Sequence, residues 1–183
     1  MEFTEDMRLT DDEFFQFCRD NATSRFERLN TGEIIVKQLS DGTKGNLNME
    51  IGADIGIWNR QSKWGYFFGS STAFRLPNTS VLSPDVAGVS RTRWESLTGQ
   101  QRRKFVPLCP DFVLELKSPS DQLTDAKLKM VDWMDNGCQL GWLMDTDTRT
   151  AYVYRPNQEP EEITNLTTLS GENVLPGFTL TLV

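Results

Sequence analysis

Apolar positions along this chain change period several times, and each change marks an element. Thr10 precedes Asp11-Asp12-Glu13, with Phe14, Phe15, Phe17 and Cys18 behind them. This capping-box pattern predicts a short amphipathic helix over about residues 11–20. Residues 21–29 are expected to form a second turn or helix. Ile34-Ile35-Val36 is a β-rich run that Asp41-Gly42 breaks. Leu47, Ile51, Ile55 and Trp58 then recur at helical spacing and predict a helix over about residues 43–60. Trp64 to Leu76 reads as one or two strands stopped by Pro77-Asn78, and Val81 to Val89 as a strand containing Pro84 and Asp85.

The clearest strand is residues 111–117. Alternate side chains of a strand face opposite sides, so Phe112, Leu114 and Leu116 share one face while Asp111, Val113, Glu115 and Lys117 share the other. A helix begins after Ser120 and runs until Gly137 ends it. Its apolar face is Leu123, Ala126, Met130, Trp133 and Met134, with Lys127 and Lys129 beside it. Leu140–Asp145 and Thr150–Arg155 read as a hairpin pair, and residues 174–183 hold Pro176-Gly177 and a final alternating strand. The reading is one α/β domain over residues 1–183 with a mixed central sheet flanked by helices.

Composition narrows the chemistry. At 38% hydrophobic and 10% aromatic, the chain has material for a core rather than for disorder. It contains no histidine, so Ser-His-Asp and Cys-His nucleophile pairs are excluded. Cys18, Cys109 and Cys138 form no CxxC pair, which argues against structural zinc and for free thiols in the cytosol. Met1-Glu2-Phe3-Thr4-Glu5-Asp6 is acidic and has no apolar signal-peptide core, and no apolar run nears the ~20 residues that span a bilayer. The expectation is a cytoplasmic protein without a membrane partner.

The net charge of −7 works weakly against a nucleic-acid partner. The average conceals a basic segment, however. Between residues 91 and 104, Arg91, Arg93, Arg102, Arg103 and Lys104 stand against Glu95 alone. That segment is either a plain charged loop or a set of phosphate contacts near a shared cleft.

Glu115 and Lys117 lie on one strand face, roughly 6.6 Å apart. A half-exposed strand with a weak surface ion pair would account for them. The alternative is a metal site. A phosphodiester-cleaving enzyme needs carboxylates to hold Mg²⁺ and an ammonium to orient water and meet developing negative charge. Pro84-Asp85 followed by Glu115-Leu116-Lys117 supplies that set. Asp111, in a second Pro-Asp pair, lies roughly 13 Å along the strand from Glu115, too far to share its ion.

Longer passages carry a resemblance. They include Arg25-Phe26-Glu27-Arg28, Arg75-Leu76-Pro77-Asn78, Ser83-Pro84-Asp85, Pro107-Leu108-Cys109-Pro110-Asp111-Phe112, Glu115-Leu116-Lys117-Ser118-Pro119-Ser120-Asp121, Leu140-Gly141-Trp142-Leu143 and Leu175-Pro176-Gly177-Phe178. With them the chain resembles, nearly end to end, the Uma2 family of restriction-endonuclease-like proteins. The resemblance implies a PD-(D/E)XK nuclease core, Mg²⁺ or Mn²⁺ on Asp85 and Glu115, Lys117 as the motif lysine and Lys129 as a helix lysine beside the site. It further implies an acidic residue from the N-terminal elements, Glu27 or Glu33, with Glu33 preferred for its place at the mouth of a strand. The family often has Asp where Gly69 stands, an aromatic where Gly88 stands and Pro where Thr146 stands; none of these is a proposed ligand.

Two functions are consistent with these features. One is a metal-dependent endonuclease acting on DNA, with Lys129 or the 91–104 arginines holding phosphate and a homodimer expected by analogy. The other is a non-catalytic nuclease-fold module that binds DNA or a protein partner.

Overall fold

A computed structural model describes residues 8–182; the acidic stretch Met1–Asp6 and Val183 lie outside them. The alternating run becomes β7 (Phe112–Lys117), inside a six-stranded sheet. The sheet order is β10 (Glu161–Ile163), β9 (Thr150–Tyr154), β8 (Leu140–Asp145), β7, β6 (Val86–Ser90) and β3 (Gly65–Gly69). Every neighbouring pair is antiparallel except β7–β8. A parallel pair needs a crossover rather than a tight turn, and α4 (Leu123–Asp135) provides it. The Gly137 that ends this helix has φ +105°, a conformation glycine adopts at little cost.

Helices cover both faces of the sheet, as the mixed α/β reading expects. Ile51 and Ile55 of α2 (Gly42–Ser62) pack with Phe112, Leu114, Leu116 and Trp142. On the other face, Met130 and Trp133 of α4 pack with Val113, Leu143 and Tyr152. The helical spacing read around residues 43–60 is α2, whose N-cap Asp41 accepts the Lys44 N–H. Leu169 of β11 (Thr168–Ser170) and Leu180 of β12 (Thr179–Thr181) close the α2 side of the core.

A second sheet runs in the order β2 (Ile34–Lys37), β1 (Arg25–Arg28), β5 (Val81–Leu82) and β4 (Phe74–Arg75). Helix α1 (Asp11–Asp20) forms the capping box read from Thr10 and Glu13. Two expectations are corrected here. Residues 25–28 form a strand rather than a turn or helix, with Glu27 and Arg28 buried by partners from distant elements. The run 81–89 is two strands, not one. Ser83-Pro84-Asp85 interrupts it, so β5 joins the second sheet and β6 the central one, as a proline without an N–H to give a ladder would require. The short strands β10 and β11 were not anticipated. Among the described residues no helix is long and apolar enough to cross a membrane.

The cysteines give a direct test of this packing. Cys109 is 2% exposed with its thiol pushed up to about 12 by burial, and Cys138 is fully buried, which pushes its thiol well above the ordinary range. Cys18 is only partly buried. Because the thiolate is the reactive form, iodoacetamide should label Cys18 in the native protein and reach Cys109 and Cys138 only in denaturant. Peptide mass mapping reads the result. Native labelling of Cys138 at the rate of Cys18 would contradict the closed core on the α4 side.

Candidate active site

Asp85 sits just before β6, where that strand parts from β7. The ladder between them ends at Val86 and Leu114. Beyond it the Leu116 N–H has no strand partner on that side, and Asp85 Oδ2 accepts it at 2.8 Å. A carboxylate therefore replaces a carbonyl at the divergence, which fixes Asp85 beside the end of β7.

Glu115 occupies a β7 position whose neighbours on both faces are covered. It is 7% exposed. The Trp133 indole N–H donates to Oε1 at 3.0 Å, and Lys129 Nζ lies 2.8 Å from the same oxygen. Lys129 also donates to Glu27 Oε1 at 2.8 Å and to the Ser83 carbonyl at 2.9 Å. Three oxygens thus surround an ammonium that has three N–H groups, so Lys129 has none left for a phosphate. Glu27 Oε1 accepts the Ser83 N–H at 2.8 Å and stands 3.8 Å from Lys37 Nζ. The chain Glu27–Lys129–Glu115 ties the second sheet to the central one through α4.

Electrostatics separate the two glutamates. Burial pushes the Glu115 carboxyl up, and the like charges of Asp85 and Glu27 add to this against the pull of Lys129 and Lys37. Burial would raise Glu27 as well, but Lys129 and Lys37, with the Lys129 and Ser83 hydrogen bonds, outweigh it and hold Glu27 below the usual range. Burial disfavours the Lys129 charge, yet Glu115 and Glu27 win and raise its pKa.

Lys117 points to the same face, and its Nζ lies 3.3 Å from Asp145 Oδ2 and donates to the Ser118 carbonyl at 3.3 Å. Asp145 is its register partner on the parallel strand β8. Lys44, from the first turn of α2, reaches Asp85 Oδ2 at 3.2 Å and Asp121 Oδ2 at 3.9 Å. Neither Asp145 nor Lys44 was expected from sequence. The signal for Asp145 was its place at the end of the strand after the β7–α4 crossover; Lys44 had none.

Two expectations about location fail. Glu33 is exposed, its carbonyl accepting the Leu29 N–H across the turn, while Glu27 is the acid beside Lys129. The basic segment also lies elsewhere. β6 runs antiparallel to β7, so the residues after β6 are at the opposite end from Asp85, about 20 Å along the strand. There Arg93 pairs with Asp111 at 2.6 Å, Arg91 with Glu95 at 3.1 Å and Lys104 with Asp12 at 2.6 Å, while Arg102 covers the Trp94 ring and Arg103 is exposed.

Asp85 and Glu115 are the carboxylates here that could hold a hard divalent cation. Among the described residues no three His, Cys, Asp or Glu side chains cluster as a complete metal cage. Mg²⁺ is usually held by one or two carboxylates with water and substrate phosphate completing the shell, so a pair suffices. The contacts at Asp85 fall on Oδ2 and those at Glu115 on Oε1. Among the described residues no hydrogen bond falls on Asp85 Oδ1 or Glu115 Oε2.

A family model described as "Uma2: Putative restriction endonuclease" matches residues 11–183. The chain belongs to the Uma2 family. A solved structure, described as a "putative nuclease belonging to DUF820" from Anabaena variabilis ATCC 29413, superposes with a TM-score of 0.79 over 94% of each chain at 21% identity. At that identity the likeness is one of fold. A comparison with curated proteins gave no match. In this Uma2 chain Asp85, Glu115 and Lys117 stand where β6 and β7 part.

Proposed function

We propose that this Uma2 chain is a divalent-metal-dependent endonuclease that hydrolyses DNA phosphodiester bonds, working as one domain in the cytosol. The observation that carries the reading is a glutamate in a doubly covered strand, kept beside Asp85 and Glu27 against the cost of burial and like charge. A fold seeking stability alone would place an apolar side chain there.

Asp85 and Glu115 would hold Mg²⁺ or Mn²⁺ through the oxygens their protein partners leave open. When bound, the ion supplies charge for the scissile phosphate and acidifies a coordinated water. Lys117, held by Asp145, presents an ammonium on the same strand face, where it can orient water and meet charge developing on the phosphate. Lys129 is a positioning residue that fixes the Glu115 and Glu27 carboxylates. Glu27 takes the place of Glu33 as the additional acid. Arg91, Arg93, Arg102, Arg103 and Lys104 are assigned to phosphates remote from the scissile one, and a homodimer would present two such sites to the two strands.

The test is cleavage of supercoiled plasmid and single-stranded DNA with Mg²⁺ or Mn²⁺. The purified chain should nick or linearise plasmid, and EDTA should stop it. If neither substrate is cut with either metal, the endonuclease reading fails. DNA binding that falls steeply with salt but brings no cleavage would favour the binding module instead.

A further inference from the structure

Lys44 stands out because its own helix does not explain it. The first turn of a helix carries partial positive charge and favours acids, yet the first turn of α2 contains no acid and does contain this lysine. Its backbone is pinned by Asp41, whose side chain accepts the Lys44 N–H at 2.9 Å. The side chain is 15% exposed and ends between two carboxylates, 3.2 Å from Asp85 Oδ2 and 3.9 Å from Asp121 Oδ2. Asp121 is fixed in turn, its Oδ2 accepting the Ser118 N–H at 2.9 Å and the Ser118 hydroxyl at 2.7 Å.

We infer that Lys44 is an internal competitor for the divalent cation at Asp85, with Asp121 as the second carboxylate to which its ammonium withdraws. The inference rests on the reading of Asp85 as a metal ligand. A full positive charge this close to a ligand oxygen opposes any cation arriving on the same carboxylate. Asp121 lowers that opposition, because the ammonium can lean toward it without losing every partner. Lys44 and Asp121 together then set how much cation is needed to load the site.

Opposite signs distinguish this role from a simple structural one. In calorimetric titration of Mn²⁺ into the full chain, Lys44→Gln should bind about tenfold tighter than the parent. Lys44→Arg keeps the charge and should stay near the parent. Asp121→Asn should bind more weakly, since the ammonium then has only Asp85, and the same change made on top of Lys44→Gln should do little. Asp85→Asn is the reference that abolishes binding. Melting curves run alongside show that each variant is folded. If Asp85→Asn removes Mn²⁺ binding but Lys44→Gln binds no tighter than the parent, this inference is wrong while the ligand reading survives. If Mn²⁺ binding is absent from the parent or indifferent to Asp85→Asn, the ligand reading falls and this inference with it. Should Lys44→Gln not fold, unchanged or tighter binding by Asp121→Asn overturns the inference on its own.

Discussion

Replacing Lys129 with Met is expected to lower the stability of the fold by about 3–5 kcal/mol, the scale for removing one partner of a buried ion pair. The side chain is 15% exposed and lies 2.8 Å from both Glu27 Oε1 and Glu115 Oε1. Methionine fills most of the same volume, so little of the loss comes from packing. It comes from leaving two buried carboxylates without their shared cation, with Lys37 at 3.8 Å the nearest replacement for Glu27. Urea denaturation should show the midpoint move with little change in slope. Adding Glu27→Gln and Glu115→Gln should return much of the loss, because a neutral hydrogen-bonded cluster no longer needs the ammonium. A loss below about 1 kcal/mol for Lys129→Met would mean that the two carboxylates are not held as charges.

How much of this could be read from the sequence depended on where the information lay. Elements defined by their own periodicity were legible, including β7 from its alternation, α4 from its apolar face and α1 from its capping box. The Pro-Asp and Glu-x-Lys pattern singled out Asp85 and Glu115 although Asp85 stands in the break between β5 and β6 rather than on a strand. β1 was not legible, since Arg25-Phe26-Glu27-Arg28 is mostly charged and becomes partly buried through Lys129, 102 positions away, and Asp11, 17 positions away. With its strand unseen, Glu27 had no face to be assigned to, and Glu33 looked the better candidate.

The basic segment lies away from Asp85 for a topological reason. Lying between Asp85 and Glu115 in sequence, it seemed close to both. In an antiparallel pair, the connection from the end of one strand to the start of the next is at the far end from the site that their other ends form. Arg91, Arg93 and Lys104 then find acids nearby, and Arg93 on Asp111 also shows what the second Pro-Asp is for. Asp111 Oδ2 accepts the Ser90 N–H, so it caps the far end of β6 much as Asp85 serves the near end of β7. The sequence shows two Pro-Asp pairs; pairing direction decides which one faces Glu115.

Glu115→Gln should leave the protein folded and lower metal-dependent cleavage by more than about 100-fold, beyond the 10–100-fold typical of groups one step removed from a metal. Glutamine keeps the shape, and its carbonyl can still accept from the Trp133 indole, which lies 3.0 Å from Oε1 in the parent. Its neutrality removes a charge that burial, Asp85 and Glu27 all oppose. The change in stability should therefore be within about 1 kcal/mol of the parent, because the lost attraction to Lys129 is offset by relief of like charge and desolvation. Activity and stability part company in this variant, as expected where a site holds a group at some cost to the fold. Cleavage rates on supercoiled plasmid, set beside a urea midpoint for the same preparation, make the comparison. If Glu115→Gln cut as fast as the parent, Glu115 would be a structural acid of the Lys129 network and the metal would have to be sought elsewhere. If it lost stability as heavily as Lys129→Met, the carboxylate would be a keystone of the fold, and loss of cleavage would no longer point to chemistry.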